Sequence, residues 1–263
     1  AFQAFDKMLQ KQKGCFPGAD GEILLHFFAL LAAKGGIGQD DVKAILVLNV
    51  ADILSQGVGV DVFTRSQDEH VPHVLHEMGY GNRVVHIPSG PEHPLPKSEQ
   101  VQYLPEFVDG VQKFSDKKGI HYDLIHSHYW LSGLAALALQ RNWNVPVVHM
   151  FHTLAKMKNQ VARRPEEGEA DVRISGEMEL LGTADRIIIA TENEMALFEK
   201  LYGVKRCAVE VIPPGVDTAR FYPIPSDEAL AFAEIPEDHQ MILFVGRIEA
   251  LKGIDTLLNA MLH

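Results

Sequence analysis

The chain has 263 residues, enough for one large domain or two smaller ones, and its 46% hydrophobic and 22% charged residues are those of an ordinary globular protein with material for a sizeable core. A formal net charge of -11, from 24 basic and 35 acidic residues, argues against nucleic acid as the main partner, because phosphate backbones call for clustered Lys and Arg; a small phosphorylated ligand needs only a few local cations. Two distant cysteines, Cys15 and Cys207, fit free thiols in a reducing cytoplasm, and no apolar run reaches the ~20 residues of a membrane span.

In chain order, the segment FDKMLQKQK near the N-terminus reads as a short amphipathic helix ended by Gly14–Gly21. The richest apolar run, Ile23–Ala33, lacks the basic flank and cleavage site of a leader and reads as a buried element, with Ile23–Leu31 a strand. Lys34–Asp41 is a glycine-rich loop. Val42–Gln56 has helical apolar spacing up to Gly57, and Val58–Phe63 and Arg83–Ile87 are short β-branched strands. Glu99–Lys117 is a helix. From there the alternation sharpens: strand Leu124–His126, helix Tyr129–Arg141, strand Val145–Met150, helix around Gly176–Leu181, strand Arg186–Ala190, helix Glu192–Tyr202, strand Val209–Ile212. Short apolar strands alternating with helices of ~10 to 15 residues predict an α/β fold, a parallel Rossmann-like sheet with helices on both faces. Prolines then crowd Pro213–Pro225, a polar stretch runs Ser226–Gln240, and Met241–Val245 with Gly253–Leu262 reads as a fresh strand, turn and helix. The expected organisation is a Rossmann-like domain over 1–222 with 1–57 atypical, a linker over 223–240, and the start of a truncated second domain over 241–263.

In open α/β sheets ligands sit beyond the carboxyl ends of the strands, so polar residues there carry weight. His126-Ser127-His128-Tyr129-Trp130 follows one strand and suits a sugar, whose face stacks on rings and whose hydroxyls take donors; a plainer reading makes Ser127 or His128 the N-cap of the next helix. Phe151-His152-Thr153 follows another strand, with Lys156, Lys158, Arg163, Arg164 and Arg173 downstream. Such cations hold a phosphate monoester through charge-assisted hydrogen bonds, although a solvated helix face accounts for the lysines as well. Gly246-Arg247 and Lys252-Gly253 flank a glycine turn that opens a helix, an arrangement that attracts a diphosphate. Gly35-Gly36, in the loop after the first strand, offers a close backbone approach to a phosphate, or is simply a surface loop. Thirteen histidines form no metal-binding spacing, and no Ser/His/Asp order or paired-carboxylate spacing stands out.

Together the segments YDLIHSHYWLSG (Tyr122–Gly133), VVHMFHTLAKMKN (Val147–Asn159), ADRIIIATENE (Ala184–Glu194), VIPPGVDTARFYP (Val211–Pro223) and ILFVGRIEALKG (Ile242–Gly253) resemble the retaining glycosyltransferases built from two Rossmann-like domains, the GT-B type, near the D-inositol 3-phosphate glycosyltransferases and sucrose-phosphate synthases. The resemblance runs from about Val58 to the C-terminus. It implies transfer of a sugar from a nucleotide donor, a UDP-sugar, to a phosphorylated polyol or sugar acceptor with retained anomeric configuration. It implies no resident cofactor beyond the nucleotide-sugar cosubstrate, although some members respond to Mg²⁺. By similarity Lys97, Tyr129, Thr153 and Arg173 hold the acceptor phosphate, His152 lies at the reacting sugar, and Gly35, Gly36, Arg247 and Lys252 serve the donor. The family's glycine-rich loop of the form Gly-Gly-x-Asn-Val is scrambled here into Gly35-Gly36 and Asn49-Val50. Its paired glutamates seven residues apart do not occur before His263.

A cytoplasmic enzyme, with a homodimer left open, is the first expectation. The alternatives are a non-catalytic phospho-sugar-binding or scaffolding module derived from such an enzyme, and another two-Rossmann-domain enzyme such as a phosphorylase or a nucleotide-sugar epimerase. Arg247 and Lys252 beside the glycine turn favour the transferase over the last of these.

Overall fold

The computed structural model describes residues 26–31, 59–76, 82–162, 164–204, 209–213, 218, 221–236, 241–246, 248 and 252–262. The expected helices near the N-terminus and over Val42–Gln56, and the loop Lys34–Asp41, lie outside them.

Eight strands form one sheet in the order β3-β4-β2-β1-β5-β6-β7-β8. They are β1 (His26–Leu31), β2 (Gly59–Arg65), β3 (Val74–Leu75), β4 (Arg83–Ile87), β5 (Leu124–His128), β6 (Val147–Met150), β7 (Arg186–Ile189) and β8 (Val209–Val211). Every neighbouring pair is parallel except β3 with β4. The order runs outward in both directions from β1 and β5, so the switch point lies between them, and their carboxyl ends meet where Leu31 pairs with His128.

The helices are α1 (Lys97–Gln100), α2 (Leu104–Lys118), α3 (Trp130–Trp143), α4 (Ala155–Val161), α5 (Asp171–Thr183), α6 (Glu192–Tyr202), α7 (Ser226–Phe232) and α8 (Ile254–Ala260), with a 3₁₀ turn at Val101–Tyr103 between α1 and α2. Their ends follow local chemistry. Thr191 caps α6 by accepting from the Glu194 N–H at 3.1 Å, Gly119 and Gly203 end α2 and α6 in the left-handed conformation, and Lys117 and Lys118 face the negative end of α2.

Successive strand residues point to opposite faces, and Val60 through Thr64 of β2 are all buried, so both faces of that strand are covered. One core cluster joins Phe63, Val85 and Ile87 to Phe107 and Val111 of α2, and another joins Phe151, Ile187 and Ile189 to Leu180 of α5 and Phe198 of α6. A polar lock sets the register of β2 on β4: the cross-strand partners Asp61 and Arg83 form two hydrogen bonds of 2.7 and 2.5 Å, and the Tyr122 hydroxyl donates to Asp61 at 2.7 Å. Burial, then the Asp61 charge, pushes the Tyr122 phenol well above its ordinary range, so it stays a donor.

Helix α3 is rich in small residues (Ser132, Gly133, Ala135, Ala136), and this lets α5 approach closely. A Cβ on Gly133 would stand 2.5 Å from the Leu180 side chain and 2.8 Å from His149, both fully buried. On α5, one on Gly176 would stand 3.0 Å from the Trp130 ring.

Four features depart from the sequence reading. The two-residue strand β3 and helix α4 were not anticipated, and the 223–240 stretch carries α7, which buries no side chain. The apolar run Met241–Val245 pairs with no strand among the described residues, and Met241, Ile242, Leu243 and Val245 are exposed. A strand exists only where a neighbour takes its backbone donors and acceptors, whatever its own side chains favour.

The close approach at Gly133 predicts that Gly133→Ala destabilises the chain by about 1–3 kcal/mol through overpacking. Urea unfolding followed by circular dichroism checks it, with Gly182→Ala, where an added Cβ meets nothing within 4 Å, as the comparison.

Candidate active site

Two segments leave the sheet side by side at its carboxyl edge. β5 ends in His126-Ser127-His128 and runs through Tyr129 into α3; β6 ends at Met150 and runs through Phe151-His152-Thr153 into α4. Both turns hold a non-glycine residue in the positive-φ region: Tyr129 at φ 73°, ψ 151° and His152 at φ 60°. For Tyr129 this region is essentially glycine territory, a strain on the order of 1–3 kcal/mol. Surrounding contacts enforce it: the Tyr129 N–H donates to Met150 O at 2.9 Å, and Tyr129 O accepts from Gly133 N at 3.0 Å. His152 sits at the apex of a tight turn closed by Thr153 N donating to Phe151 O at 2.7 Å. Tyr129 itself is the N-cap residue of α3 and no side chain caps that end, so the N-cap reading of Ser127 or His128 does not hold.

Three of the residues singled out in the sequence converge. The Arg173 guanidinium, 2% exposed, lies 4.8 Å above the Tyr129 ring. It donates to the Tyr129 hydroxyl at 3.1 Å, to Thr153 O at 2.7 Å and to Thr153 Oγ1 at 3.1 Å. Two carboxylates complete its shell: Glu177 Oε1 at 2.7 Å from Nε and Glu169 Oε1 at 2.8 Å from Nη1. Neither glutamate was marked from sequence, although both lie four residues from Arg173 on either side, the helical spacing of an ion pair. Burial works to lower the Arg173 pKa, but Tyr129, Glu177 and Glu169 outweigh it and raise it.

Glu177 is fully buried and ties three elements together. Besides Arg173 it accepts from the Ala155 N–H at 3.1 and 3.0 Å, which opens α4, and from the Tyr202 hydroxyl of α6. Burial, then the hydrogen bond to Glu177, pushes the Tyr202 phenol up, out of its ordinary range. The lysines after His152 are not a solvated helix face. Lys156 Nζ donates to Leu201 O at 2.9 Å and lies 4.6 Å from the Tyr202 ring centre, and Lys158 pairs with Glu169. Arg164 is exposed, and Arg163 lies outside the described residues.

His152 belongs to a cluster of four histidines. Its Nε2 is 2.8 Å from His128 Nδ1 with the two rings stacked, His126 lies 4.2 Å from the His128 ring, and His149 Nδ1 is 2.8 Å from Ser127 Oγ. The Nε2 atoms of His126 and His149 are buried without a hydrogen-bond partner among the described residues. Burial lowers the pKa of all four: His126 to about 4, His149 to about 3, His128 well below its ordinary value, and His152 below 6.5. Mutual repulsion among the rings adds to this at His126, His128 and His149. His152 is therefore a neutral imidazole at neutral pH, able to donate or accept one hydrogen bond but not a fixed cation. The sequence reading included His126 and His128 in a motif and passed over His149, whose place inside a strand gave no signal.

The remaining expected residues stand apart. Lys97 begins α1, in the segment that follows β4; its side chain, like Gly35, Gly36 and Arg247, lies outside the described residues. Lys252 is exposed just before α8 and joins none of the rim groups by hydrogen bond or ion pair among the described residues. No group of three or more His, Cys, Asp or Glu side chains among the described residues, the four histidines included, is arranged to hold a metal ion, and no helix among them is long and apolar enough to cross a membrane.

The buried histidines predict a pH-dependent stability. Unfolded histidines take up protons near pH 6.5, whereas folded His126 and His149 resist until about 4 and about 3. Between these limits the unfolded chain binds more protons, so stability falls as pH falls from about 6.5 toward 4. Denaturant midpoints measured at pH 7, 6 and 5 should show this decline, and His149→Asn should make it shallower.

Comparison with known proteins places the chain in a family. The model of Glycosyltransferase Family 4 matches residues 47–220. The D-inositol 3-phosphate glycosyltransferase of Nocardiopsis dassonvillei is 38% identical over 227 residues, covering 86% of this chain and 53% of the relative. That of Thermobifida fusca is 38% identical over 247 residues, covering 93% and 56%. Among solved structures, sucrose-phosphate synthase from Thermosynechococcus elongatus superposes with a TM-score of 0.77 at 29% identity, over 90% of this chain and 59% of that one. The chain thus spans about half the length of the curated relatives it matches. Its α/β sheet and the family match agree: the chain belongs to glycosyltransferase family 4, with the Rossmann-like architecture of the GT-B enzymes.

Proposed function

We propose that this chain supplies the acceptor side of a nucleotide-sugar-dependent glycosyltransferase that moves a sugar from a UDP-sugar to a phosphorylated polyol or sugar with retained anomeric configuration. The observation that carries the reading is the meeting of Arg173, Tyr129 and Thr153 at the carboxyl rim, next to His152. A guanidinium placed over an aromatic ring, with hydroxyls beside it, suits a phosphate monoester. The names of the relatives at 38% identity, D-inositol 3-phosphate glycosyltransferases, point to the same acceptor chemistry.

On this reading the phosphate anchors the acceptor and presents one hydroxyl to the anomeric carbon. The new glycosidic bond forms as the bond to the departing UDP oxygen breaks, and the acceptor hydroxyl's proton passes to that departing oxygen. The leaving diphosphate is received by cations, a role assigned to Arg247 and Lys252, with Gly35 and Gly36 giving close backbone approach. His152, neutral, hydrogen-bonds the transferring sugar, and Lys97 adds a charge to the acceptor site. The reading includes no resident cofactor beyond the nucleotide-sugar cosubstrate.

The test is an assay of the full-length native polypeptide with a panel of UDP-sugars and D-inositol 3-phosphate, reading UDP release and the anomeric configuration of the product by NMR. Transfer with retention is expected. Binding of the phosphorylated acceptor by calorimetry without turnover on any UDP-sugar would favour a non-catalytic phospho-sugar-binding module instead. Tyr129→Phe removes one hydroxyl at the anion site and should raise the KM for the phosphorylated acceptor tenfold or more, the effect of losing a charged hydrogen bond of about 1.5–3 kcal/mol, with little change in the KM for the UDP-sugar.

A further inference from the structure

Every donor of the Arg173 fork has an acceptor within reach: Nε has Glu177, Nη1 has Tyr129 and Glu169, and Nη2 has Thr153 O and Oγ1. A phosphate arriving at this residue has to displace one of them. Glu177 is held in place, since it is fully buried within α5 and also serves Ala155 and Tyr202. Thr153 and Tyr129 are fixed by the two tight turns.

Glu169 is different. It precedes α5, in the irregular segment after the Pro165–Glu167 turn, and its side chain is 14% exposed. One oxygen, Oε1, is shared by Arg173 Nη1 and Lys158 Nζ, so a single carboxylate sits between two cations. Lys158 and Arg173 outweigh the effect of burial and hold the Glu169 carboxyl below its ordinary range. Asn159 holds the Glu169 backbone: Asn159 Oδ1 accepts from Glu169 N at 2.6 Å, and Asn159 Nδ2 donates to Glu169 O at 3.3 Å. Moving Glu169 aside breaks no helix and no strand.

We infer that the Glu169 carboxylate is a resident stand-in for the acceptor's phosphate: it satisfies Arg173 and Lys158 while the site is empty and withdraws when a phosphate monoester takes its place. The inference rests on the phosphate reading of Arg173 above and adds a device to it. Glu177 alone leaves Arg173 and Lys158 with one uncompensated positive charge in a mostly buried site, which is destabilising, so the empty site keeps a second anion. The same anion sets selectivity. A phosphate dianion outcompetes a single carboxylate for two cations, whereas the hydroxyls of an unphosphorylated polyol do not.

Calorimetric titration of the full-length native polypeptide with D-inositol 3-phosphate and with inorganic phosphate tests this, using the wild type, Glu169→Gln, Asn159→Ala, Glu177→Gln and Tyr129→Phe. Glu169→Gln should bind both anions about three- to tenfold more tightly, because the bond that binding must break is weakened. Asn159→Ala, which releases the same segment without touching the anion site, should also tighten binding and keeps the test valid if Glu169→Gln folds poorly. Glu177→Gln should lower the thermal midpoint and not tighten binding. If the wild type binds, Tyr129→Phe binds more weakly, and Glu169→Gln and Asn159→Ala are unchanged or weaker, the stand-in role is overturned while the phosphate reading survives. If the wild type binds neither anion, both fall.

Discussion

Arg173 is the largest fully buried side chain among the described residues, and the rim of this sheet is organised around the need to neutralise it. A guanidinium taken out of water persists only with carboxylates and hydrogen-bond acceptors on all sides. Glu177 supplies the permanent part of that shell, and in doing so it opens α4 and receives the Tyr202 hydroxyl. The strained backbone at Tyr129 and His152 is held over the same centre, because Tyr129 and Thr153 are both acceptors of the guanidinium. One buried charge therefore couples the turn after β5, the turn after β6, and helices α4, α5 and α6.

Beside this charged centre sits an uncharged one. The four histidines are kept neutral mainly by burial, so the two neighbouring parts of the rim offer different chemistry. On the proposed reading the first takes the phosphate of the acceptor in exchange for a carboxylate, and the second makes directional hydrogen bonds to its hydroxyls without electrostatic bias. The division arises from the fold, since His126, His128 and His149 lie on strands at the centre of the sheet while Arg173 approaches from a helix.

Much of this was legible in the chain. The alternation of short apolar strands with helices gave the parallel sheet, and ATENE marked the start of α6 because a Thr cap is a local signal. HSHYW and FHT were found at the carboxyl ends of β5 and β6 because strand ends in such sheets are where ligands bind. What escaped depended on distant partners. α4 is a short helix whose first N–H is received by Glu177, a residue of another element, so its lysines read as surface. Glu169 and Glu177 stand at helical spacing from Arg173, but that spacing matters only once Arg173 is known to be buried. Met241–Val245 has strand-forming side chains and no ladder partner among the described residues, and partners cannot be read from composition.

The glycine contact between α3 and α5 has a mechanical consequence. The space a side chain would fill at Gly133 is already taken by Leu180 of α5 and His149 of β6, so helix, helix and strand interlock at one point. α5 cannot slide or roll there without colliding with the sheet. Arg173 rides on that closely packed helix, so on the proposed reading the adjustment of the rim falls to the short stretch of chain leading into α5.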